Sequence, residues 1–220
     1  MAGFVYHGRM NQNKVIAAPR QKRSQATLER LLSATIRLLD EYGLEGAVIP
    51  RIAELAGVAP ASVYRRFANK DALMRAALLH VLESSREANR LGLASALQGA
   101  TLAASAEALM DLMFRQYRQH PRLVRALARF IDADVDPQFV ATARAIMAEN
   151  LELSVQCLLV HRDQIHHPAP ERALRFALLH AITSIEAIAL APVSLWHTVM
   201  REPDEALAKE FARSFVAYLS

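Results

Sequence analysis

The segment from Ile49 to Leu73, IPRIAELAGVAPASVYRRFANKDAL, constrains the fold of this chain more than any other. Pro50 suits the first turn of a helix, because its missing N–H would have no helical partner there. Gly57 suits the residue just after a helix end, and Pro60 can open a second helix. The pattern therefore predicts two short helices joined by a tight turn, which is a helix-turn-helix arrangement.

The second of these helices has two different faces. Val63 and Phe67 lie four residues apart, so both are predicted to point into the core. The polar and basic side chains fall on the opposite side or at its flank, and they are Ser62, Tyr64, Arg65 and Arg66. Because a recognition helix reads DNA with outward polar and basic groups, this pattern indicates a DNA-binding element.

A longer helix is predicted upstream, around LLSATIRLLDEYG. Its apolar face keeps helical spacing, and Gly43 is predicted to end it. The residues of that face are Leu28, Leu31, Leu32, Thr35, Leu38, Leu39 and Tyr42. The three predicted helices together account for a small N-terminal domain.

The segment GVAPASVYRRFANKDAL resembles the signature of TetR/AcrR-type transcriptional regulators, which combines a Gly-Val turn, a Tyr-x-x-Phe helix and a Lys-x-x-Leu opening of the next helix. With the upstream helix, the resemblance runs from Gln25 to about Leu82. It implies an all-α fold with an N-terminal helix-turn-helix DNA-binding domain of three helices and a C-terminal helical domain for ligand binding and dimerisation. On this basis residues 1–23 are predicted to be a basic, disordered arm, 24–70 the DNA-binding domain, and 71–220 the effector-binding and dimerisation domain, with residues 70–90 as the connecting helix.

Two positions depart from the family pattern. Val48 precedes the first helix of the helix-turn-helix, where the family commonly has a hydroxyl residue, and Ala59 precedes the second, where Ser is frequent. Neither side chain can accept a hydrogen bond from the free backbone N–H groups of a helix N-terminus. We expect a somewhat less stable helix-turn-helix with an unchanged fold.

Charge is divided unevenly along the chain. Residues 1–90 contain 14 Lys and Arg against 8 Asp and Glu, whereas residues 91–220 contain 12 against 14. The cationic excess therefore lies in the half with the helix-turn-helix, where it would attract DNA phosphates irrespective of sequence. Lys22 and Arg23, just before the first helix, either reach the DNA as part of an arm or are simply solvated.

The resemblance and the side-chain chemistry together assign the outward residues two roles. The residues expected to contact phosphates are Tyr64, Arg66 and Lys70, with Lys22 and Arg23 of the arm. The residues expected to face base edges are Ala61, Ser62 and Arg65. An arginine fork can bind guanine and a methyl group can contact thymine, whereas phosphates carry no sequence information. The first set would therefore determine affinity, and the second sequence preference. Tyr64 is also expected to pack against its own domain.

Turn signals divide the rest of the chain, after the connecting helix, into five further helices near residues 104–119, 121–131, 137–161, 170–191 and 204–219. The last two helices have stripes of small or apolar residues, namely Ala173, Ala177, Ala181, Ser184 and Ala187, then Leu207, Phe211 and Phe215. Such stripes let a second helix approach closely, and the resemblance implies that they form a four-helix bundle between two copies of the chain. The alternative is that both stripes pack within one chain, and their spacing does not separate the two. A two-fold dimer would read a pseudo-palindromic operator in double-stranded DNA.

The resemblance also implies a pocket for an apolar or aromatic small-molecule effector among the middle helices. The candidate lining residues are Met110, Met113, Phe114, Tyr117, Phe139, Met147, Cys157 and Phe176. Soft and aromatic side chains adapt to apolar ligands, but they are also ordinary core material, so the alternative for each of them is packing alone. In the commoner role of the family, the effector would release a repressor from its operator.

Other functional classes are weaker. The chain has no Gly-rich phosphate loop, no Gly-x-Ser-x-Gly and no His-Glu-x-x-His, so the sequence predicts no enzyme and no cofactor. His161, His166 and His167 match no zinc spacing, and we expect them in a solvated loop rather than at a metal. A helical adaptor that binds proteins without DNA remains the alternative function, although it leaves the basic reading helix unexplained.

Compartment and assembly are also constrained by the sequence. No segment reaches the roughly 18 apolar residues that a membrane-spanning helix needs. A single Cys excludes a disulfide within the chain, and no export signal is visible. We therefore expect a cytoplasmic protein.

Overall fold

The computed structural model describes residues 19–191 and 193–220, and these ranges contain helices and no strand. The ten α-helices are α1 (Pro19–Gly46), α2 (Ile49–Leu55), α3 (Pro60–Tyr64), α4 (Lys70–Ala96), α5 (Leu102–Gln119), α6 (Pro121–Ala133), α7 (Pro137–Leu158), α8 (Pro170–Ala189), α9 (Leu195–Val199) and α10 (Asp204–Leu219). A 3-10 helix, Leu159–Gln164, follows α7. The predicted all-α fold is confirmed.

The five helices predicted after the connecting helix are present as α5 to α8 and α10. Four of the five, α5 to α8, begin at a Pro or directly after a residue whose side chain caps the helix. The Asp136 carboxylate, for example, accepts from the backbone N–H groups that begin α7. Two features differ from the prediction. The connecting helix α4 continues six residues further, to Ala96, and the five-residue α9 was missed because so short a helix has no readable periodicity.

Helix α1 begins earlier than expected. Residues 19–23, predicted to belong to a disordered arm, form its first turn, and residues 1–18 lie outside the described residues. Gly43 has a φ of +69°, which breaks the regular helix at the predicted place. Tyr42, predicted to lie on the buried face, is 51% exposed, and the guanidinium of Arg51 lies 4.9 Å from its ring centroid. Tyr42 lies near the end of α1, so it shares the helical spacing of the buried face but has few buried neighbours to pack against.

The buried residues form two hydrophobic cores. The first lies between α1, α2, α3, the first half of α4, α6 and the first half of α7. The second lies between the end of α4, α5, the end of α7, α8 and α10. The N-terminal domain of α1, α2 and α3 therefore shares its core with α6 and α7. Helices α4 and α7 each contribute residues to both cores.

A buried polar contact in the second core joins the 3-10 helix to α5 and to the end of α4. His161, predicted to lie in a solvated loop, is 8% exposed in the 3-10 helix. Its Nε2 lies 2.9 Å from the buried Ser105 Oγ, and that hydroxyl donates to the Leu97 carbonyl at 2.7 Å. The expectation failed because the neighbouring Pro residues suggested a loop, whereas the histidine side chain is hydrogen-bonded inside the core.

Candidate nucleic-acid interface

The helix-turn-helix is held together by its short apolar side chains and its backbone. Ile52, Ala53 and Val63 are almost fully buried, so the two helices pack against α1 and α4. Gly57 has a φ of +64°, a conformation that favours glycine, and the N–H of Val58 donates to the Ala53 carbonyl at 2.9 Å. The predicted tight turn is therefore confirmed.

Both helices of this motif begin without a side-chain cap, as expected. Val48 and Ala59 occupy the cap positions in extended conformation and accept no hydrogen bond with their side chains. By contrast, the Asn69 amide oxygen accepts from the Ala72 N–H at 2.8 Å, so α4 is firmly capped directly after the reading segment. Helix α3 ends at Tyr64, and Phe67 therefore lies after the helix rather than on it, although it still packs against the first core.

The predicted DNA-contacting residues lie mainly at the surface. Tyr64 is 58% exposed, so its ring is only partly packed against the domain. The other exposed members of the set are Lys22, Arg23, Ala61, Arg65 and Arg66, while Ser62 and Lys70 are half-buried. Lys70 is already engaged, because its ammonium donates to the Leu44 carbonyl at 3.3 Å and so joins the start of α4 to the end of α1.

The two arginines after Tyr64 are held by hydroxyl groups. Arg65 donates to Ser62 Oγ at 2.7 Å, within its own turn. Arg66 donates to Ser24 Oγ at 2.9 Å, across 42 residues of sequence. A groove of about 410 Å³ lies beside α3, and its lining residues are Thr27, Val58, Ser62, Arg65 and Arg66. The N-terminal turns of α1 therefore form one wall of the reading surface, which consists of this groove and the exposed Tyr64.

The electrostatics of this surface differ from those of the rest of the chain. Eight cationic side chains lie between Lys22 and Lys70, and among the described residues Arg37 alone of these eight forms an ion pair. Beyond Lys70, arginines such as Arg75, Arg118 and Arg175 pair with carboxylates at 3.0 Å or less. A surface whose cations lack carboxylate partners keeps its attraction for phosphates.

Sequence analysis missed Ser24, Thr27 and Arg30 as members of this surface. Thr27 accepts from Arg30 at 3.4 Å and lines the groove, and a Cβ added at Gly57 would lie 3.5 Å from Arg30. Their position next to the turn depends on how α1 crosses α2 and α3. The only available sequence signal was that all three lie in the helix preceding the motif.

The predicted effector-pocket residues do not converge on one place. Five of them, Met110, Met113, Phe114, Tyr117 and Cys157, belong to the second core or pack against it. Phe139 is buried in the first core instead, against α6, with its ring 5.7 Å from that of Phe130. Met147 and Phe176 lie at the surface, 41% and 44% exposed. The prediction is wrong for these three residues, because helical spacing does not show which neighbour a face meets.

The predicted dimer stripe is also corrected. Ala173, Ala177 and Ala181 are buried inside their own chain, and so are Leu207 and Phe215, while the Phe211 ring packs 5.9 Å from that of Phe114. Ser184 is half-buried, and Ala187 alone of the predicted set is exposed. The small residues serve the close packing of α8 within the chain. The outward face of α8 carries a different set at helical spacing: Phe176, Leu179, His180, Thr183 and Ala187.

A polar pair lies at the edge of the second core. The hydroxyl of Tyr117 donates to the Glu186 carboxylate at 3.3 Å, joining α5 to α8. Burial raises the pKa of the Glu186 carboxyl, and the hydrogen bond from Tyr117 offsets part of that shift. Burial also raises the pKa of Tyr117 and of the Cys157 thiol, so both are neutral near pH 7.

The raised pKa of Glu186 predicts a pH dependence of folding. A carboxyl whose pKa is higher in the folded than in the unfolded protein favours folding when protonated, and this contribution is lost as pH rises from the ordinary value near 4.5 through the folded value. Glu186→Gln keeps an acceptor for Tyr117 without the charge. We expect the variant to have a higher unfolding temperature than the wild type at pH 7 and an equal one at pH 4. Glu83→Gln, on the exposed side of α4, is the control, and an equal difference at both pH values would contradict the prediction.

Residues 19–191 and 193–220 contain no group of three or more His, Cys, Asp or Glu side chains arranged to hold a metal ion. No helix within these ranges has the length and apolar character to cross a membrane.

The arrangement defines the class of the N-terminal unit: a helix-turn-helix domain whose outward, uncompensated cations face away from a common core. Residues 31–77 match the family described as bacterial regulatory proteins, tetR family. The fold agrees, since the chain superposes on a protein from Mesorhizobium loti MAFF303099 assigned to the TetR family with a TM-score of 0.66 and 18% identity, covering 90% of this chain and 96% of the other. The chain therefore contains, at residues 31–77, a helix-turn-helix domain that matches the tetR family, and its fold as a whole is similar to that of a TetR-family protein.

Other similarities are consistent with this assignment. The HTH-type transcriptional regulator BetI of Stenotrophomonas maltophilia strain R551-3 is 37% identical over 60 residues, which cover 27% of this chain and 31% of the relative. The chain thus matches about a third of the length of this curated relative. The regulator FadR of Bacillus subtilis, solved in complex with stearoyl-CoA, shares the fold with a TM-score of 0.62 and 15% identity, over 87% of this chain and 99% of that one.

Proposed function

We propose that this chain is a dimeric, sequence-specific regulator of transcription, a repressor that a small-molecule effector releases from its operator in the cytoplasm. The observation that carries the proposal is the reading surface, where Tyr64, Arg65 and Arg66 are exposed and neither arginine pairs with a described carboxylate. Cations that remain unpaired at a surface are available for phosphates and for the acceptor atoms of guanine.

The dimer is proposed to form through the outward faces of α8 and α10. Phe176 and Tyr218 lie 5.5 Å apart between ring centroids, and both are more than 40% exposed. Leu179 and His180 continue this apolar and aromatic surface along α8, with the His180 ring 4.4 Å from that of Phe176. A two-fold axis across this surface would pair α8 and α10 with their copies and present two reading helices to one pseudo-palindrome.

The effector is proposed to act on the second core, around Met110, Met113 and Phe114. This core offers soft and aromatic side chains, and the polar pair Tyr117 and Glu186 lies at its edge. An apolar molecule with one hydrogen-bond donor suits that combination, since a few placed polar groups orient a ligand in an apolar site.

Hydrogen bonds connect the junction of α5 and α6 to α1 of the N-terminal helix-turn-helix domain. His120 is the single residue between α5 and α6. Its Nδ1 lies 2.8 Å from the Asp40 carboxylate of α1. Arg122 of α6 donates to the Glu41 carbonyl at 2.9 Å. A shift of α5 on effector binding would therefore be transmitted to α1. An effector changes DNA affinity only if it binds the two geometries with different affinity.

The test is selection of genomic DNA fragments by the purified protein at moderate and raised salt. We expect a pseudo-palindromic sequence, and binding that weakens steeply with salt. Arg65→Ala with Arg66→Ala should cost about 1–3 kcal/mol of binding free energy per reading head and relax the sequence preference. Arg144→Ala with Arg201→Ala removes the same charge from exposed positions elsewhere and serves as the control. Recovery of no preferred sequence at either salt would reject the specific regulator in favour of a protein adaptor.

A further inference from the structure

The hydrogen bond between Ser24 and Arg66 joins two parts of the reading surface that the sequence separates by 42 residues. Ser24 lies in the second turn of α1, before the segment that matches the family. Arg66 lies just after α3, where the backbone leaves the helix. Among the described residues the guanidinium has no carboxylate partner, so the serine hydroxyl is the side chain that holds it.

We propose that Ser24 is a positioning residue, which holds the guanidinium of Arg66 where a DNA backbone phosphodiester enters the groove beside α3. The inference rests on the proposed function. It assigns Ser24 no contact with DNA of its own, and it makes the first turns of α1 a part of the phosphate site.

The chemistry of the groove suits one phosphodiester. Among the residues that the structure describes, its lining consists of the Thr27 and Ser62 hydroxyls, the guanidinium groups of Arg65 and Arg66, and Val58, without a carboxylate. A guanidinium has five N–H donors, so Arg66 can donate one to Ser24 and still offer a planar pair to two phosphate oxygens.

Holding Arg66 in advance strengthens binding in two ways. A long side chain loses rotamer freedom when it binds, and a side chain that is already held loses less. DNA would also exclude water from the groove, and a hydrogen bond to a charged group is stronger where water is excluded. Before DNA binds, the same bond is exposed to solvent and contributes little to folding.

The position of Ser24 separates this role from a merely structural one. Ala is a better helix former than Ser, so Ser24→Ala within α1 is expected to leave the unfolding temperature unchanged or to raise it. A loss of DNA affinity in the same variant would then have no folding explanation. The opposite directions of the two effects make the proposal testable.

The experiment measures the affinity of the full chain for a random-sequence DNA duplex over a salt series, because phosphate contacts do not require the operator. Ser24→Ala is expected to weaken binding by about two- to tenfold at fixed salt, the range for one hydrogen bond. The dependence on salt should keep its slope, since no charge is removed. Arg66→Ala should lower that slope by about one per reading head.

Three further variants sharpen the comparison. Ser24→Thr retains the hydroxyl and should restore wild-type affinity. Ser24→Ala should have no further effect in the Arg66→Ala background, because it acts through that guanidinium. Ser84→Ala, at an exposed position of α4, is the matched control: it should leave the affinity unchanged and, like Ser24→Ala, leave the unfolding temperature unchanged or raise it.

The outcomes distinguish this inference from the proposed function. If the wild-type chain binds no duplex at any salt, the proposed function is rejected and the inference with it. If the wild type binds DNA with steep salt dependence and Ser24→Ala binds equally well, the positioning role alone is overturned. The same holds if Ser24→Ala lowers the unfolding temperature, or if it weakens binding as much without Arg66 as with it.

Discussion

Replacing Leu179 by glutamate is expected to separate the two subunits of the proposed dimer and to lower operator affinity by about 100-fold or more. Leu179 is 54% exposed in the single chain, on the outward face of α8 next to Phe176 and His180. A charge there is solvated in the monomer, so the fold should persist. In the dimer the charge would be taken out of water, which opposes association. Each monomer would then bind one half-site alone, without the added affinity that comes from holding two DNA-binding domains in one dimer.

The measurement pairs the mass of the particle in solution with DNA affinity at one protein concentration. Leu91→Glu, at a position of α4 that is 75% exposed and outside the proposed α8 and α10 surface, is the matched control and should remain dimeric. Far-UV circular dichroism checks that both variants stay helical. A dimeric Leu179→Glu variant with wild-type affinity would show that α8 does not form the interface.

Leu174→Ala is expected to reduce the free energy of unfolding by about 2–5 kcal/mol. Leu174 lies on the same helix as Leu179 but on its inner face, where it is fully buried in the second core. Truncation removes apolar contacts and leaves a cavity that densely packed neighbours refill only in part. The two substitutions therefore separate folding from assembly along a single helix.

Denaturant unfolding at a fixed protomer concentration measures this loss, because the stability of a dimer depends on concentration. Leu91→Ala deletes the same atoms at an exposed position and should change the unfolding free energy by less than about 0.5 kcal/mol. Similar losses from both variants would contradict the assignment of α8 to the second core.

Much of the fold was predictable because its signals are local. Pro50 and Pro60 open α2 and α3, and Gly57, with its positive φ, closes the turn between them. Helices α5 to α8 and α10 repeat their apolar residues over several turns, so they were placed within about three residues of their observed ends, whereas α4 continues six residues beyond its predicted end. Helix α9 was missed because five residues do not establish a period.

Part of the candidate site was predictable for the same reason. Val63 faces inward and Tyr64 outward because the period of a helix determines its faces, and Arg65 and Arg66 are exposed in the turn that follows α3. Lys70 was assigned to phosphate from the resemblance and its side-chain chemistry, neither of which shows that its ammonium donates to the Leu44 carbonyl. Ser24 was missed because a contact across 42 residues leaves no pattern in the sequence.

The sequence by itself determined the all-α class, the helix-turn-helix and the cationic reading face, since each depends on residues within one or two helical turns of one another. The tertiary structure decided which partner each helix face meets. Ala173, Ala177 and Ala181 turn inward and the Phe176 side of α8 turns outward, whereas the dimer implied by the resemblance had the Ala stripe at the surface. Small side chains permit close approach by any helix, so only the packing of α5 and α10 against α8 selects which side is buried. The apolar period of a helix therefore predicts which of its residues share a face, whereas the packing of all the helices together determines which helix that face contacts.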